Sequence, residues 1–176
     1  MSNIKQFFLL DRQQFTDCFG ELYEHSPWIA ERAYDLVHND AAPEEVPGLE
    51  LLNRHFETVV QIASREEQLG LLNAHPELAC VAAGQSRLTV DSKSEQFRAG
   101  LSQCTGLEFK EFKQLNLAYR TRFGFPFILA VRGYQREEIL KIFRHRIENE
   151  AEDEFGEALM QVGRIGRFRL EAMFDG

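Results

Sequence analysis

Phe125-Pro-Phe-Ile-Leu-Ala-Val131 is the one continuous apolar run in the chain, and whether it is a strand decides the fold class. Its length and its aromatic and branched residues suit a buried strand. A strand needs a partner, however, and no second run of this kind is present for it to pair with. The stretch is therefore read as a buried extended or irregular segment, and the fold class is set by its surroundings.

Those surroundings are helical on both sides. Upstream, Thr105-Gly-Leu-Glu108 has the form of a capping box, and Phe109, Phe112, Leu115, Tyr119 and Phe123 predict one long helix that stops at Gly124. Downstream, Ile139, Ile142, Phe143 and Ile147 mark a helix, and Phe155, Leu159, Val162, Gly166 and Leu170 mark the last one. Toward the N-terminus, Phe15, Cys18, Phe19, Leu22 and Tyr23 fall at three-four spacing. Ser26-Pro27 then opens a helix through Trp28, Ile29, Ala33, Leu36 and Val37, which ends in the polar loop Asn39-Asp-Ala-Ala-Pro43. Leu49, Leu52, Phe56, Val59, Val60 and Ala63 form a third stripe, and Ser64-Arg-Glu-Glu67 caps a helix carrying Leu69 and Leu72. After Ala83-Gly84 the chain is polar, then helical from about Lys93 to Leu101. The expectation is an all-α fold, a single compact domain over residues 1–176 with roughly eight helices.

Composition narrows the function classes. With 44% hydrophobic and 27% charged residues and no apolar run of spanning length, the chain reads as globular with no membrane span. A net charge of -8 without a basic run argues against a nucleic-acid partner. Cys18, Cys80 and Cys104 are odd in number and far apart, which suits buried free thiols. The first ten residues have too short an apolar core for a signal peptide, so the expected location is cytoplasmic. Of the 20 Lys and Arg residues, only Lys5, Lys93, Lys110, Lys113 and Lys141 are lysines, a bias that suits bidentate carboxylate contacts.

Three places carry chemistry-bearing side chains. Leu69 and Leu72 lead into His75 at steps of three, which points its imidazole inward, and Pro76 disfavours helix at His75. Such a histidine is either a hydrogen-bonded core residue or an acid/base at a cavity. Ser92-Lys-Ser-Glu95 reads as a further capping box, and the same helix end can also bind an anion. Arg169 follows Phe155, Leu159, Val162 and Gly166 on the inward stripe, so its charge needs a partner. That partner is an internal carboxylate such as Glu77 or Glu95, water reached by snorkelling, or a substrate carboxylate. His25, His38, His55, His75 and His145 make no HxxxH or HExxH pattern, and no phosphate-binding or nucleotide-binding motif is present. No metal site and no cofactor are expected.

Ser26-Pro27-Trp28, His75-Pro-Glu-Leu-Ala79, Ser92-x-x-Glu95-Gln96, Asn116-x-x-Tyr119, Phe123-Gly-Phe-Pro-Phe-Ile128 and Arg169-Leu170, taken in order, resemble one family. It is the 2-oxo-4-hydroxy-4-carboxy-5-ureidoimidazoline (OHCU) decarboxylases of urate breakdown. The likeness runs over nearly the whole chain, with Cys80-Val81 standing where the family favours Gly-Lys. It implies an all-helical, cofactor-independent, homodimeric lyase that converts OHCU to (S)-allantoin and carbon dioxide. Carried over by position, it implies His75 as acid/base and Glu95 as its acidic companion. Pro76, Ser92, Gln96 and Arg169 become substrate-binding residues, and backbone amides at Phe127, Ile128 and Leu129 complete the pocket. Two other readings stand beside it: a helical interaction module in which His75 and Arg169 serve structure, and an enzyme acting on another ureido-imidazoline.

Overall fold

Several helices in this protein begin where a side chain satisfies the first exposed amides. The computed structural model describes residues 4–39, 48–78, 90–101 and 104–174. Within them lie a 3-10 helix (Ile4–Leu9) and α1 (Arg12–Phe19), α2 (Trp28–Asn39), α3 (Gly48–Ile62), α4 (Arg65–Ala74), α5 (Val90–Arg98), α6 (Gly106–Phe123), α7 (Arg136–Arg146) and α8 (Ala151–Phe174). No strand occurs among the described residues, so the all-α expectation holds. The polar loop beyond Asn39, the Cys80-Val81 departure and residues 85–89 of the polar stretch lie outside the described residues, and α5 starts at Val90, three residues before the expected Lys93.

Two of the capping boxes that the spacing announced are present. Ser64 and Glu67 exchange bonds, Ser64 N–H to Glu67 Oε2 at 2.9 Å and Glu67 N–H to Ser64 Oγ at 3.2 Å. Thr105 and Glu108 do the same for α6, which ends at Gly124 in the left-handed conformation at φ 79°, where a side chain would be strained. Asp11 and Gln14 form a further box at α1. Ser26 differs from expectation: its hydroxyl donates back to the Glu24 carbonyl at 2.9 Å, and α2 starts at Trp28.

The chain divides into two compact units, one of Met1–Ala74 with Gly163–Gly176 and one of His75–Val162, so residues of α8 belong to both. In the first, α2 packs on α1 and α3 around an aromatic cluster. Phe15 and Phe19 lie 4.7 Å apart between centroids, and both contact Phe56, which Tyr23 also reaches. Arg12 pairs with Asp35, and Arg32 reaches Glu67 at 2.5 Å, the two ties joining α1 to α2 and α2 to α4. The inward face of α4 runs through Gln68, Leu71 and Leu72, and Gln68 donates to the Val60 carbonyl at 2.9 Å. Leu69 is consequently exposed, contrary to its expected inward position. Of the two described cysteines, Cys18 is a free thiol but exposed and Cys104 is disulfide-bonded, so neither is the expected buried free thiol; Cys80 lies outside the described residues.

The second unit holds α5, α6, α7 and the first half of α8. Its centre is Tyr119, fully buried, with Phe123, Phe125, Phe127 and Phe143 around its ring at 4.6 to 5.9 Å. Phe127 stacks on Phe143 at 3.8 Å, which fastens the extended run to α7. Arg136 to Glu108 at 2.7 Å and Arg144 to Glu111 at 2.6 Å bridge α7 and α6.

Two outcomes follow from the first unit. A Cβ on Gly166 would lie 2.6 Å from Tyr23 Cζ inside the core. Overpacking costs about 1–3 kcal/mol, against about 1 kcal/mol of helix propensity gained. Gly166→Ala therefore lowers the melting temperature; a higher one would refute this packing. Separately, the hydrogen bond from Arg32, aided by Ser64, holds the Glu67 carboxyl down at about 2. Its contribution is present above the ordinary value of 4.5 and is lost as pH falls toward 2. The melting-temperature gap between wild type and Glu67→Gln should narrow through that window, and a gap independent of pH would count against the pairing.

Candidate active site

His75 stands one residue beyond the end of α4, as Pro76 demands, and is buried with 6% exposure. Pro76 to Leu78 have no regular structure, and side chains donate to the carbonyls of Glu77 and Leu78. Gln96 donates through Nε2 to the Glu77 carbonyl at 3.3 Å, and Asn116 donates through Nδ2 to the Leu78 carbonyl at 2.8 Å. Arg120 adds an exposed ion pair to Glu77 at 3.1 Å, which contributes little. A buried carbonyl left without a donor costs about 1–3 kcal/mol, so the two carboxamides define where the segment next to His75 runs.

Gln96 belongs to α5, where Ser92 lies one turn earlier on the same buried face and Glu95 is half-buried beside it. The helix begins at Val90, so Ser92 sits inside its first turn, and the expected Ser92–Glu95 capping box is not what this helix end uses. The Gln96 Oε1 atom is buried and has no hydrogen-bond partner among the described residues. One carboxamide thus binds the His75 segment through its nitrogen and keeps an acceptor in hand.

The run around Phe127, Ile128 and Leu129 is buried and irregular, as the lack of a partner strand predicted. Its backbone is satisfied from two helices. Arg146 of α7 donates through Nη1 to the Ile128 carbonyl at 2.6 Å, and Gln161 of α8 accepts from the Ala130 N–H at 3.0 Å. Arg146 in turn meets Glu154, which is 0% exposed, at 2.5 Å, and its guanidinium lies 4.7 Å above the Phe127 ring. Asn149 donates to the second Glu154 oxygen at 2.7 Å, and the Tyr119 hydroxyl donates to the first. Burial, and then that hydrogen bond, push the Tyr119 hydroxyl well above its ordinary value, so it remains a donor.

Arg169 lies in the unit of Met1–Ala74 and Gly163–Gly176 and is inward, with 8% exposure. It pairs with the carboxylate of Glu24 at 2.9 Å, and its Nη1 donates to the Leu22 carbonyl at 3.3 Å. Glu24 is itself 2% exposed, so the two charges neutralise one another inside this unit. His75, Pro76, Ser92, Glu95, Gln96 and Phe127 to Leu129 all lie in the other unit. Among the described residues, no three His, Cys, Asp or Glu side chains are grouped to hold a metal ion.

The apolar-stripe reading does not single out Arg146 or Glu154, although the same signal that exposes Arg169 marks both. Arg146 is in phase with Ile139 and Phe143, and Glu154 with Ala158 and Gln161. Glu24, in a loop with no periodicity, leaves no such trace.

Residues 9–171 match the model of a protein family described as OHCU decarboxylase. The chain is 42% identical over 161 residues to the uric acid degradation bifunctional protein PucL of Bacillus subtilis, covering 92% of this chain and 30% of that protein. It thus spans under a third of that relative's length. It is 36% identical over 172 residues to the 2-oxo-4-hydroxy-4-carboxy-5-ureidoimidazoline decarboxylase of Haloferax volcanii, covering 98% of this chain and 96% of the relative. A crystal structure of (S)-allantoin synthase superposes with a TM-score of 0.75 at 30% identity, over 97% of this chain and 53% of that one.

The Glu154 geometry yields its own test. Glu154→Leu leaves Arg146 buried without its carboxylate, a change that costs about 3–5 kcal/mol, whereas replacing both partners by apolar residues of like volume costs far less. Chemical denaturation of the single and double variants measures this; equal losses would contradict the pairing.

Proposed function

The chain belongs to the OHCU decarboxylase family, and from that premise we propose that it converts OHCU to (S)-allantoin and carbon dioxide in urate breakdown. The observation that carries this reading is the family match along residues 9–171, which spans every candidate site residue. The site fits the chemistry at the level of residue types. Breaking the bond to the carboxylate releases carbon dioxide and leaves an electron pair on a ring carbon flanked by unsaturated ring atoms. The substrate's own ring spreads that charge, a task that elsewhere falls to a cofactor. The protein has to hold the substrate, exclude water and return one proton to one face.

In this reading His75 is the proton donor, because imidazole exchanges protons near neutral pH and the residue is fixed at a helix end. Glu95 orients it or raises its basicity. Ser92 and the spare acceptor of Gln96 hold polar atoms of the substrate, Pro76 shapes the wall, and amides of Phe127 to Leu129 offer donors. Arg169 holds an anionic part of the substrate while Glu24 fixes its orientation. The pairing with Glu24 equally suits a purely structural Arg169, and kinetics separate the two.

The family match over most of the chain supports treating residues 1–176 as one domain. No helix among the described residues is long and apolar enough to cross a membrane. A homodimer in the cytoplasm completes the proposal, supported by the family likeness, and light scattering of the purified protein reads its mass.

The test begins from urate, with the two preceding activities supplied, and follows optical activity by circular dichroism. Wild type should form optically active allantoin faster than OHCU decays alone; no acceleration would end the reading. His75→Ala should lower kcat by about 10²–10⁴-fold, and an intact rate would remove it from proton transfer. Arg169→Ala should chiefly raise KM, and unchanged kinetics would leave it a structural residue.

A further inference from the structure

Asn116 and Tyr119 are three residues apart on α6 and therefore share a face. Both are buried, whereas Leu117 between them is 71% exposed. Each reaches a different irregular segment of the same unit. Asn116 donates to the Leu78 carbonyl at 2.8 Å, three residues beyond His75. Tyr119 donates to Glu154, which binds Arg146, which donates to the Ile128 carbonyl at 2.6 Å. Neither side chain stands in for a helical or strand bond of α6 itself. Asn116 acts directly on the non-helical stretch that carries His75, and Tyr119 acts through Glu154 and Arg146 on the one that carries Phe127 to Leu129.

We infer that Asn116 is a positioning residue for His75 and Tyr119 one for the amides of Phe127 to Leu129, so that one face of α6 sets both in register. The inference rests on the proposed decarboxylase reading. Asn116 acts only as a donor: its buried Oδ1 has no partner among the described residues. A residue kept only for packing does not need an amide hydrogen aimed at the one segment that follows His75 and Pro76. Pro76 has no N–H and Pro76 to Leu78 have no regular structure, so the Asn116 bond ties the Leu78 carbonyl to α6, and a shift there passes along three residues to the imidazole. Tyr119 acts one step further away, through a charged pair, on backbone atoms assigned to binding.

The two roles separate kinetically. Asn116→Asp keeps the shape but turns an acceptor toward the Leu78 carbonyl, and Asn116→Ala removes the group. Both should lower kcat on the order of tenfold or more with KM held within about threefold, and Asn116→Gln, which keeps the carboxamide, should recover part of the loss. Tyr119→Phe, which keeps the ring and removes only the hydroxyl, should raise KM with kcat held within about threefold. Leu117→Ala, on the exposed face, should match wild type. Rates are expressed per folded protein, with the folded fraction read from thermal unfolding. Wild-type kcat in Asn116→Asp and Asn116→Ala, a loss that only tracks the folded fraction, or failure of every Asn116 variant to fold would overturn the inference while leaving the decarboxylase reading standing. Absence of turnover by wild type would overturn that reading and this one with it.

Discussion

Glu154 is a carboxylate with 0% exposure, and much of the unit from His75 to Val162 is built to hold it. A buried charge is tolerated only when paired and hydrogen-bonded on both oxygens. Arg146, Asn149 and Tyr119 supply those bonds, drawing the end of α7, the turn after it and the middle of α6 onto the start of α8. The guanidinium has one more nitrogen to satisfy, and it does so on the Ile128 carbonyl. A chain segment with neither helix nor strand bonds is thereby given a fixed path, with Phe127 stacked on Phe143 beneath it. Charge neutralisation and backbone placement are one event here.

The stretch from His75 to Leu78 is handled by the same device with neutral groups. Carboxamides of Gln96 and Asn116 donate to the carbonyls of Glu77 and Leu78. Both irregular stretches are thus held by side chains projecting from regular helices, which fixes backbone that forms no regular element of its own. The Arg169–Glu24 pair does the equivalent in the other unit, fixing a cation whose stem would otherwise have several rotamers.

Much of this is legible without coordinates. Capping boxes at Ser64 and Thr105, the stop at Gly124 and the break at His75-Pro76 are local effects, set by residues three or four apart, and they stand in the structure as read. Failures occur where a local pattern has two solutions. Ser92-x-x-Glu95 has the capping spacing, but the helix starts at Val90, two residues before Ser92. Leu69 has the right step from Leu72, yet the face of α4 turned inward is centred on Leu71 and Leu72 and leaves Leu69 at its rim. A three-residue step alone does not fix the phase of a stripe.

What the sequence determined by itself is the all-α class, the ends of most helices, the inward placement of His75 and Arg169, and, through its ordered motifs, the family. These depend on neighbours along the chain or on recognisable order. Only the tertiary structure decided which group meets which: Glu24 for Arg169 across 145 residues, Asn116 for Leu78 across 38, and Arg146 for Ile128 across 18. Hydrogen bonding between distant residues has no periodicity, because it depends on where folded helices bring their faces, and that is information a linear pattern does not hold.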